Sequence, residues 1–187
     1  MSQSKIILIT GGSRSGKSTF AEGLFADRDD VLYIATATRS DGEMDERIAR
    51  HRARRNANWG THEGYMDLGD VVRATPHGHV LLDCCTLWFT NLLFGAAGVD
   101  LEGGNITGHT LDAALALATE QAQGLITAAR ETGKTVALVT NEVGWGLVSE
   151  YPLGRLFCDL CGFMNQRMAA LCDEVYLVAC GLPLRLK

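Results

Sequence analysis

The sequence predicts an α/β protein of three layers, with helices on both faces of a mostly parallel sheet and an antiparallel C-terminal edge strand. Short apolar runs rich in β-branched residues recur along the chain, and segments with helical spacing separate them. Strands that are apolar on both faces are typical of parallel sheets covered on both sides, with right-handed crossovers. This alternation is the main support for the predicted fold class.

Each strand is predicted from an apolar run and each helix from its spacing. The strands fall at 5–10, 31–36, 79–84, 135–141 and 174–180, with a short last strand at 184–187. The helices fall at 17–26, 40–55, 111–132 and 153–172. Ser40 and Glu43 form a capping box for the second helix, and Gly133 ends the third. Because the last strand follows a tight turn at Gly181, it should pair antiparallel at an edge.

The composition indicates one domain, 1–187, with a sizeable core. The chain has 187 residues, of which 47% are hydrophobic and 21% charged. The net charge of −5 argues against a general nucleic-acid-binding protein, because such binding depends on a basic surface. The first apolar run is too short for a signal peptide, so a cytoplasmic location is expected.

Two features could suggest another class of protein. Residues 80–99 carry one charge, Asp83, and are long enough for a membrane span, but their polar residues fit a buried strand and helix better. The six cysteines include a C-x-x-C pair, Cys158 and Cys161, which lies in a helical pattern without a second pair at zinc spacing. No membrane span is therefore expected, and the cysteines are predicted to be free thiols.

A phosphate-binding loop follows the first strand. The motif G-x-x-x-x-G-K-[ST] is matched by Gly11, Gly12, Ser13, Arg14, Ser15, Gly16, Lys17 and Ser18. Glycines let backbone N–H groups turn toward a phosphate chain, and the following helix adds its positive N-terminus. Lys17 would reach the β- and γ-phosphates, and the Ser18 hydroxyl would ligate Mg²⁺. The motif, with a strand before it and a helix after it, predicts a nucleoside triphosphate site.

A P-loop also needs an acidic residue at the end of a neighbouring strand. Asp83 ends the apolar run 80–82 and is the best candidate for the magnesium shell. The alternative is that Asp83 caps the helix that follows. Ligands gather at the carboxyl ends of parallel strands, which favours a metal or substrate role.

A second informative feature is a helix rich in arginine. Five of the seventeen basic residues fall within positions 47–55, around His51. Arg47, His51 and Arg55 share one face at i, i+4 spacing. A solvated basic face is the simpler explanation, but the nucleotide site predicted in the same chain favours a triphosphate contact. The arginines would lower the pKa of His51, and a neutral imidazole could act as a nucleophile.

The sequence resembles the bifunctional adenosylcobinamide kinase/adenosylcobinamide-phosphate guanylyltransferase family of cobalamin biosynthesis. The resemblance covers nearly the whole chain, and its most specific parts are the Arg/His helix and the Asn-Glu-Val-Gly stretch at 141–144. The other stretches are 9–18, 32–36, 81–84, 90–93, 165–167, 173–176 and 181–187, together with Trp59, Thr61 and Glu63.

The resemblance implies two activities. The terminal hydroxyl of adenosylcobinamide is phosphorylated with ATP or GTP, and GMP from GTP is then transferred to that phosphate through a GMP–histidine on His51, with Lys17 also catalytic. It implies a RecA-like P-loop NTPase fold and a homotrimer. The nucleotide-binding positions outside the P-loop would be Ala35, Thr36, Ala37, Arg52, Ala53, Arg54, Arg55, Glu63 and Asp83.

Three positions depart from the family pattern. Asn56 and Ser149 stand where proline is usual, which should alter loop order, and Asp83 stands where some members carry Glu. Two other functions remain open: a P-loop small-molecule kinase that does not transfer GMP, and a regulatory RecA-type NTPase that binds a macromolecule. Family position alone suggests substrate contacts at Asn91, Asn141 and Glu142.

Overall fold

A seven-stranded sheet organises the protein. A computed structural model describes residues 4–37, 56–96 and 108–187. The strands are β1 (Ile6–Thr10), β2 (Val31–Ala35), β3 (Gly60–Glu63), β4 (His79–Asp83), β5 (Thr135–Val139), β6 (Glu174–Ala179) and β7 (Leu182–Arg185). Their order is β3-β2-β4-β5-β1-β6-β7, and all neighbours are parallel except β6 and β7. The predicted mostly parallel sheet with an antiparallel C-terminal edge is confirmed.

Five α-helices lie in the described part of the chain. They are α1 (Lys17–Gly23), α2 (Leu68–Ala74), α3 (Cys85–Asn91), α4 (Gly108–Glu131) and α5 (Pro152–Leu171), and a π-helical turn, Leu92–Ala96, continues α3. The predicted helix at 40–55 lies outside the described residues. The sequence did not predict β3 or α2, because β3 is a partly exposed Gly-Thr-His-Glu strand and α2 has only seven residues.

The sheet has a separate core on each face. In β1, Ile6 and Leu8 pack into one cluster while Ile7 and Ile9 pack into the other. Helices α2 to α5 contribute to the first cluster, and Ala21 of α1 lies in the second. Since successive side chains of a strand point to opposite faces, this double covering explains why β1, β2, β4 and β5 are apolar on both faces.

The buried Trp88 holds α3 in place after β4. Its side chain is fully buried, and its Nε1 donates a hydrogen bond of 2.7 Å to the carbonyl of Tyr65. Helix α3 follows directly on the carboxyl end of β4. The hydrogen bond from Trp88 to Tyr65 therefore connects this end of β4 to the loop after β3.

The apolar stretch after residue 80 begins with the strand β4 and the helix α3, as the sequence predicts. All six cysteines are free thiols. None of the helices in the described ranges is long and apolar enough to cross a membrane.

Candidate active site

The predicted P-loop connects β1 to α1 at the carboxyl edge of the sheet. Its backbone has positive φ at Gly11 (156°), Arg14 (57°) and Gly16 (97°). Gly16 precedes the first residue of α1, Lys17, so the loop ends on a helix N-terminus. A loop of this shape can direct N–H groups toward one anion.

The turn between β6 and β7 supports the loop from behind. This two-residue turn, Cys180 and Gly181, has positive φ at both positions, as expected for a tight hairpin. The Gly181 N–H donates a hydrogen bond of 2.8 Å to the Ser15 carbonyl. A Cβ on Gly16 would lie 3.0 Å from the Gly181 Cα, and one on Gly11 would overlap the Val178 carbonyl oxygen. Both glycines are therefore required by packing as well as by φ.

Lys17 lies against the loop that precedes it. Its side chain is buried, and Nζ donates a hydrogen bond of 2.9 Å to the Gly12 carbonyl. Burial lowers the pKa of Lys17 below its ordinary value, and the Asp83 carboxylate partly opposes this shift. Lys17 therefore lies close enough to Asp83, the predicted magnesium residue, for the two charges to interact.

Three predicted nucleotide-binding positions end adjacent strands in one row. Ala35 of β2 is in register with Glu63 of β3 on one side and with Asp83 of β4 on the other. The next residue, Thr36, is held beside β4: its hydroxyl donates to the Cys84 carbonyl at 2.7 Å and accepts from the Cys84 N–H at 3.1 Å. Ala37 follows on the same edge.

The structure does not place Asp83 at the cap of the helix that follows it. Helix α3 begins at Cys85 and its N-cap is Cys84, so Asp83 does not occupy the capping position. The Cys84 thiol is neutral at physiological pH, because burial and then the nearby Asp83 charge raise its pKa to about 11. The neutral thiol leaves Asp83 as the candidate metal ligand of this pair.

Ser18 and Asp83 are the predicted metal residues. No cluster of three or more His, Cys, Asp or Glu side chains that could hold a metal occurs among the described residues. Magnesium needs no such cluster, since it is usually held by one or two protein oxygens together with waters and substrate phosphates. The two oxygen-bearing side chains fit that pattern, and their role stays a prediction.

A polar network next to the loop was found only in the structure. The Thr10 hydroxyl donates to Glu142 Oε1 at 2.6 Å, and Asn165 Nδ2 donates to the same oxygen at 3.1 Å. The Thr140 hydroxyl donates to Asn165 Oδ1 at 2.8 Å, and the Glu142 N–H donates to the Gly11 carbonyl at 3.2 Å. The signal in the sequence was the Asn-Glu-Val-Gly stretch after β5, which marked Glu142 by family position alone.

The other two residues marked by family position also lie at this edge. Asn141 Nδ2 donates to the Thr86 hydroxyl at 2.9 Å, and Asn91 Nδ2 donates to the Thr36 carbonyl at 2.6 Å. Both side chains tie loops at the carboxyl ends of the strands to α3.

Some predicted residues lie outside the part of the chain that the structure describes. They are the predicted nucleophile His51 and the predicted nucleotide-binding positions at 52–55. Asn56, which stands where the family usually has proline, is described: its Nδ2 donates to Asp29 Oδ1 at 2.7 Å. The other proline position, Ser149, accepts a hydrogen bond of 3.2 Å from the Tyr151 N–H just before α5. Side-chain hydrogen bonds thus hold both positions.

The parallel sheet and the strand–loop–helix that carries the P-loop motif define an α/β protein of the P-loop class. The profile of the family described as cobinamide kinase/cobinamide phosphate guanyltransferase matches residues 7–186. The chain belongs to this family and is a transferase.

Three relatives show the same family. The chain is 42% identical over 184 residues to the bifunctional adenosylcobalamin biosynthesis protein CobU of Escherichia coli K12, covering 97% of this chain and 99% of the relative. It is 44% identical over 185 residues to CobU of Salmonella typhimurium LT2, with the same coverage. It is 39% identical over 183 residues to CobP of Pseudomonas aeruginosa PAO1, covering 96% of each.

One solved structure is similar at low identity. A KaiC-like protein from Pyrococcus horikoshii OT3 aligns at 15% identity and a TM-score of 0.48, over 92% of this chain and 70% of that chain.

The packing of the loop predicts that two neighbouring glycines differ in importance. Replacing Gly11 by Ala should lower the free energy of unfolding by about 1–3 kcal/mol, because the new Cβ meets the Val178 carbonyl at a strained φ. The same change at Gly12, where a Cβ meets nothing within 4 Å, should alter it by less than about 0.5 kcal/mol. Urea denaturation without nucleotide measures both. Equal effects would contradict the packing argument.

Proposed function

We propose that this chain phosphorylates adenosylcobinamide with ATP or GTP and then transfers GMP from GTP to the adenosylcobinamide phosphate. The second step forms a GMP–His51 intermediate and yields adenosylcobinamide-GDP and pyrophosphate. The observation that carries the proposal is a complete P-loop beside Asp83 in a chain that belongs to this family. One domain, 1–187, would hold both activities.

The kinase step depends on positioning and charge. The loop N–H groups and Lys17 would hold the triphosphate, with the Lys17 ammonium moving from the Gly12 carbonyl to the phosphates. Ser18 and Asp83 would hold Mg²⁺, which neutralises phosphate charge when bound. The remaining work is to keep the acceptor hydroxyl in line with the γ-phosphorus.

The guanylyl step is covalent catalysis. His51 attacks the α-phosphorus of GTP, pyrophosphate leaves, and an oxygen of the substrate phosphate then displaces His51 and takes the GMP. Arg52, Arg54 and Arg55 would stabilise the charge that develops on the phosphorus. The support for these roles is the sequence pattern and the family, and the rest of the nucleotide site would include Ala35 to Ala37 and Glu63.

We also propose that the protein is a cytoplasmic homotrimer without a nucleic-acid partner. The net charge of −5 supports the last point. A loop after β5 exposes four large apolar side chains, which is a feature of surfaces that contact another protein. They are Trp145, Leu147, Val148 and Tyr151.

The trimer predicts a particular mass in solution. Light scattering on a size-exclusion column should give about three times the chain mass of 20.2 kDa. A monomeric or dimeric mass would contradict the homotrimer but would not bear on the two proposed activities.

The covalent step predicts a labelled protein. Incubation with α-³²P-GTP should leave acid-labile, alkali-stable label on the chain, whereas γ-³²P-GTP should leave none, because the histidine carries GMP and not the terminal phosphate. The His51→Ala variant should carry no α-label.

A second histidine provides the control. His77 lies in the loop before β4, at the opposite edge of the sheet, where its Nδ1 is 2.8 Å from the Thr75 hydroxyl. His77→Gln should label like the wild type. Phosphorylation of adenosylcobinamide with no α-label would instead identify a plain P-loop kinase, and label that persists in His51→Ala would exclude His51.

The metal role of Asp83 predicts a changed magnesium requirement. Asp83→Asn keeps the size of the side chain but removes its charge, so the Mg²⁺ concentration for half-maximal kinase rate should rise about 10-fold or more. The measurement is a Mg²⁺ titration at saturating nucleotide. An unchanged midpoint with a lower maximal rate would show that Asp83 acts on the substrate.

A further inference from the structure

We propose that Glu142 is the general base of the phosphoryl-transfer step, taking the proton of the acceptor hydroxyl, and that it has no such part in guanylyl transfer. The inference rests on the proposed function. It concerns which of the chain's carboxylates serves which half-reaction.

The sheet order places Glu142 at the loop. Strand β5 lies between β1, which leads into the P-loop, and β4, which ends at Asp83. Glu142 follows β5 by three residues, and its N–H donates to the Gly11 carbonyl. The next carbonyl along the loop, that of Gly12, holds the Lys17 ammonium. The Gly11 carbonyl, which binds Glu142, is therefore one residue before the Gly12 carbonyl, which binds Lys17. Lys17 is the residue expected to contact the β- and γ-phosphates.

The carboxylate is held by one oxygen. Oε1 accepts hydrogen bonds from the Thr10 hydroxyl and from Asn165 Nδ2. Thr140 fixes the orientation of the Asn165 amide by donating to its Oδ1. Asn165 is 8% exposed, so this support is buried, while Glu142 itself is partly exposed. The two donors hold the side chain in one orientation without neutralising its charge.

The second oxygen remains available. Within residues 4–37, 56–96 and 108–187, Glu142 Oε2 accepts no hydrogen bond and makes no ion pair. A carboxylate with one oxygen anchored and the other free, at the rim of a phosphate site, is the arrangement a general base requires.

The other acidic side chains at this edge have different positions. Asp83 ends β4, on the far side of β5 from the P-loop strand, and is the predicted magnesium ligand. Glu63 is exposed and ends β3, the strand at the far edge of the sheet. Only Glu142 among these three is hydrogen-bonded directly to β1, through Thr10.

Phosphoryl transfer to a hydroxyl needs one group that accepts the hydroxyl proton. The hydroxyl oxygen forms a bond to the γ-phosphorus as the bond from that phosphorus to the β–γ bridging oxygen breaks, and the nucleoside diphosphate leaves with the electron pair. The hydroxyl proton passes to Glu142 Oε2 and then to solvent. In guanylyl transfer the acceptor is a phosphate oxygen that is already ionised, so no base is needed there.

The Glu142→Gln variant tests this difference between the two steps. Gln keeps an oxygen that can accept from Thr10 and Asn165 but has no carboxylate. Its kcat for phosphorylation of adenosylcobinamide should fall about 100-fold or more, the usual loss for a general base. Its guanylyl transfer to supplied adenosylcobinamide phosphate should stay within about threefold of the wild type, as should the nucleotide KM.

Glu142→Asp separates a base from a structural support. Asp keeps the carboxylate but is one methylene shorter, whereas Gln keeps the length. A general base predicts a faster kinase step for Asp than for Gln, and a purely structural role predicts the reverse order. The reverse order, or an equal loss of both half-reactions in Glu142→Gln, would overturn the proposal.

A matched control variant and the guanylyl-transfer assay distinguish failure of the base assignment from failure of the proposed function. Glu120→Gln makes the same chemical change at an exposed position of α4 and should leave both rates unchanged. If the wild type transfers GMP and Glu142→Gln phosphorylates as fast as the wild type, the base assignment fails and the proposed function stands. If the wild type performs neither reaction, the proposed function itself fails.

Discussion

The site depends on the contact between the P-loop and the backbone of β6 and its turn. Gly11 lies against the Val178 carbonyl, Gly16 lies against Gly181, and the Gly181 N–H bonds the loop at Ser15. A loop rich in glycine loses much conformational entropy on folding, and these contacts offset that cost. Because the C-terminal hairpin occupies the space behind it, the loop is held in a shape whose positive φ angles suit an anion before any nucleotide arrives.

The insertion of β5 between β1 and β4 distributes the charges around that loop. It separates the P-loop strand from the strand that ends at Asp83, and the segment after β5 brings Glu142 against Thr10. Two carboxylates therefore approach the lysine site from different strands. Asp83 interacts with Lys17 through its charge, whereas Glu142 is bonded to β1, which is why they are suited to different tasks.

Elements that have a clear local residue pattern could be predicted from the sequence, and elements without such a pattern could not. The five long strands and the helices predicted at 17–26, 111–132 and 153–172 follow from apolar runs and helical spacing, and the structure has them within a few residues. Strand β3 has no apolar run, because it is an edge strand whose only strand neighbour is β2. The last strand begins at Leu182 and not at 184, since the two-residue turn lets pairing start at once.

The sequence by itself determined the fold class, the P-loop, the acidic strand end at Asp83 and the arginine cluster around His51, because each is a local pattern of residue types. Only the tertiary structure decided that Gly181 supports the loop and that Thr10, Glu142 and Asn165 meet. Thr10 and Glu142 are 132 positions apart along the chain, and Glu142 and Asn165 are 23 positions apart. Only the strand order and the packing of α5 bring the three residues together. A local pattern carries no information about such pairings, because they depend on which strands become neighbours.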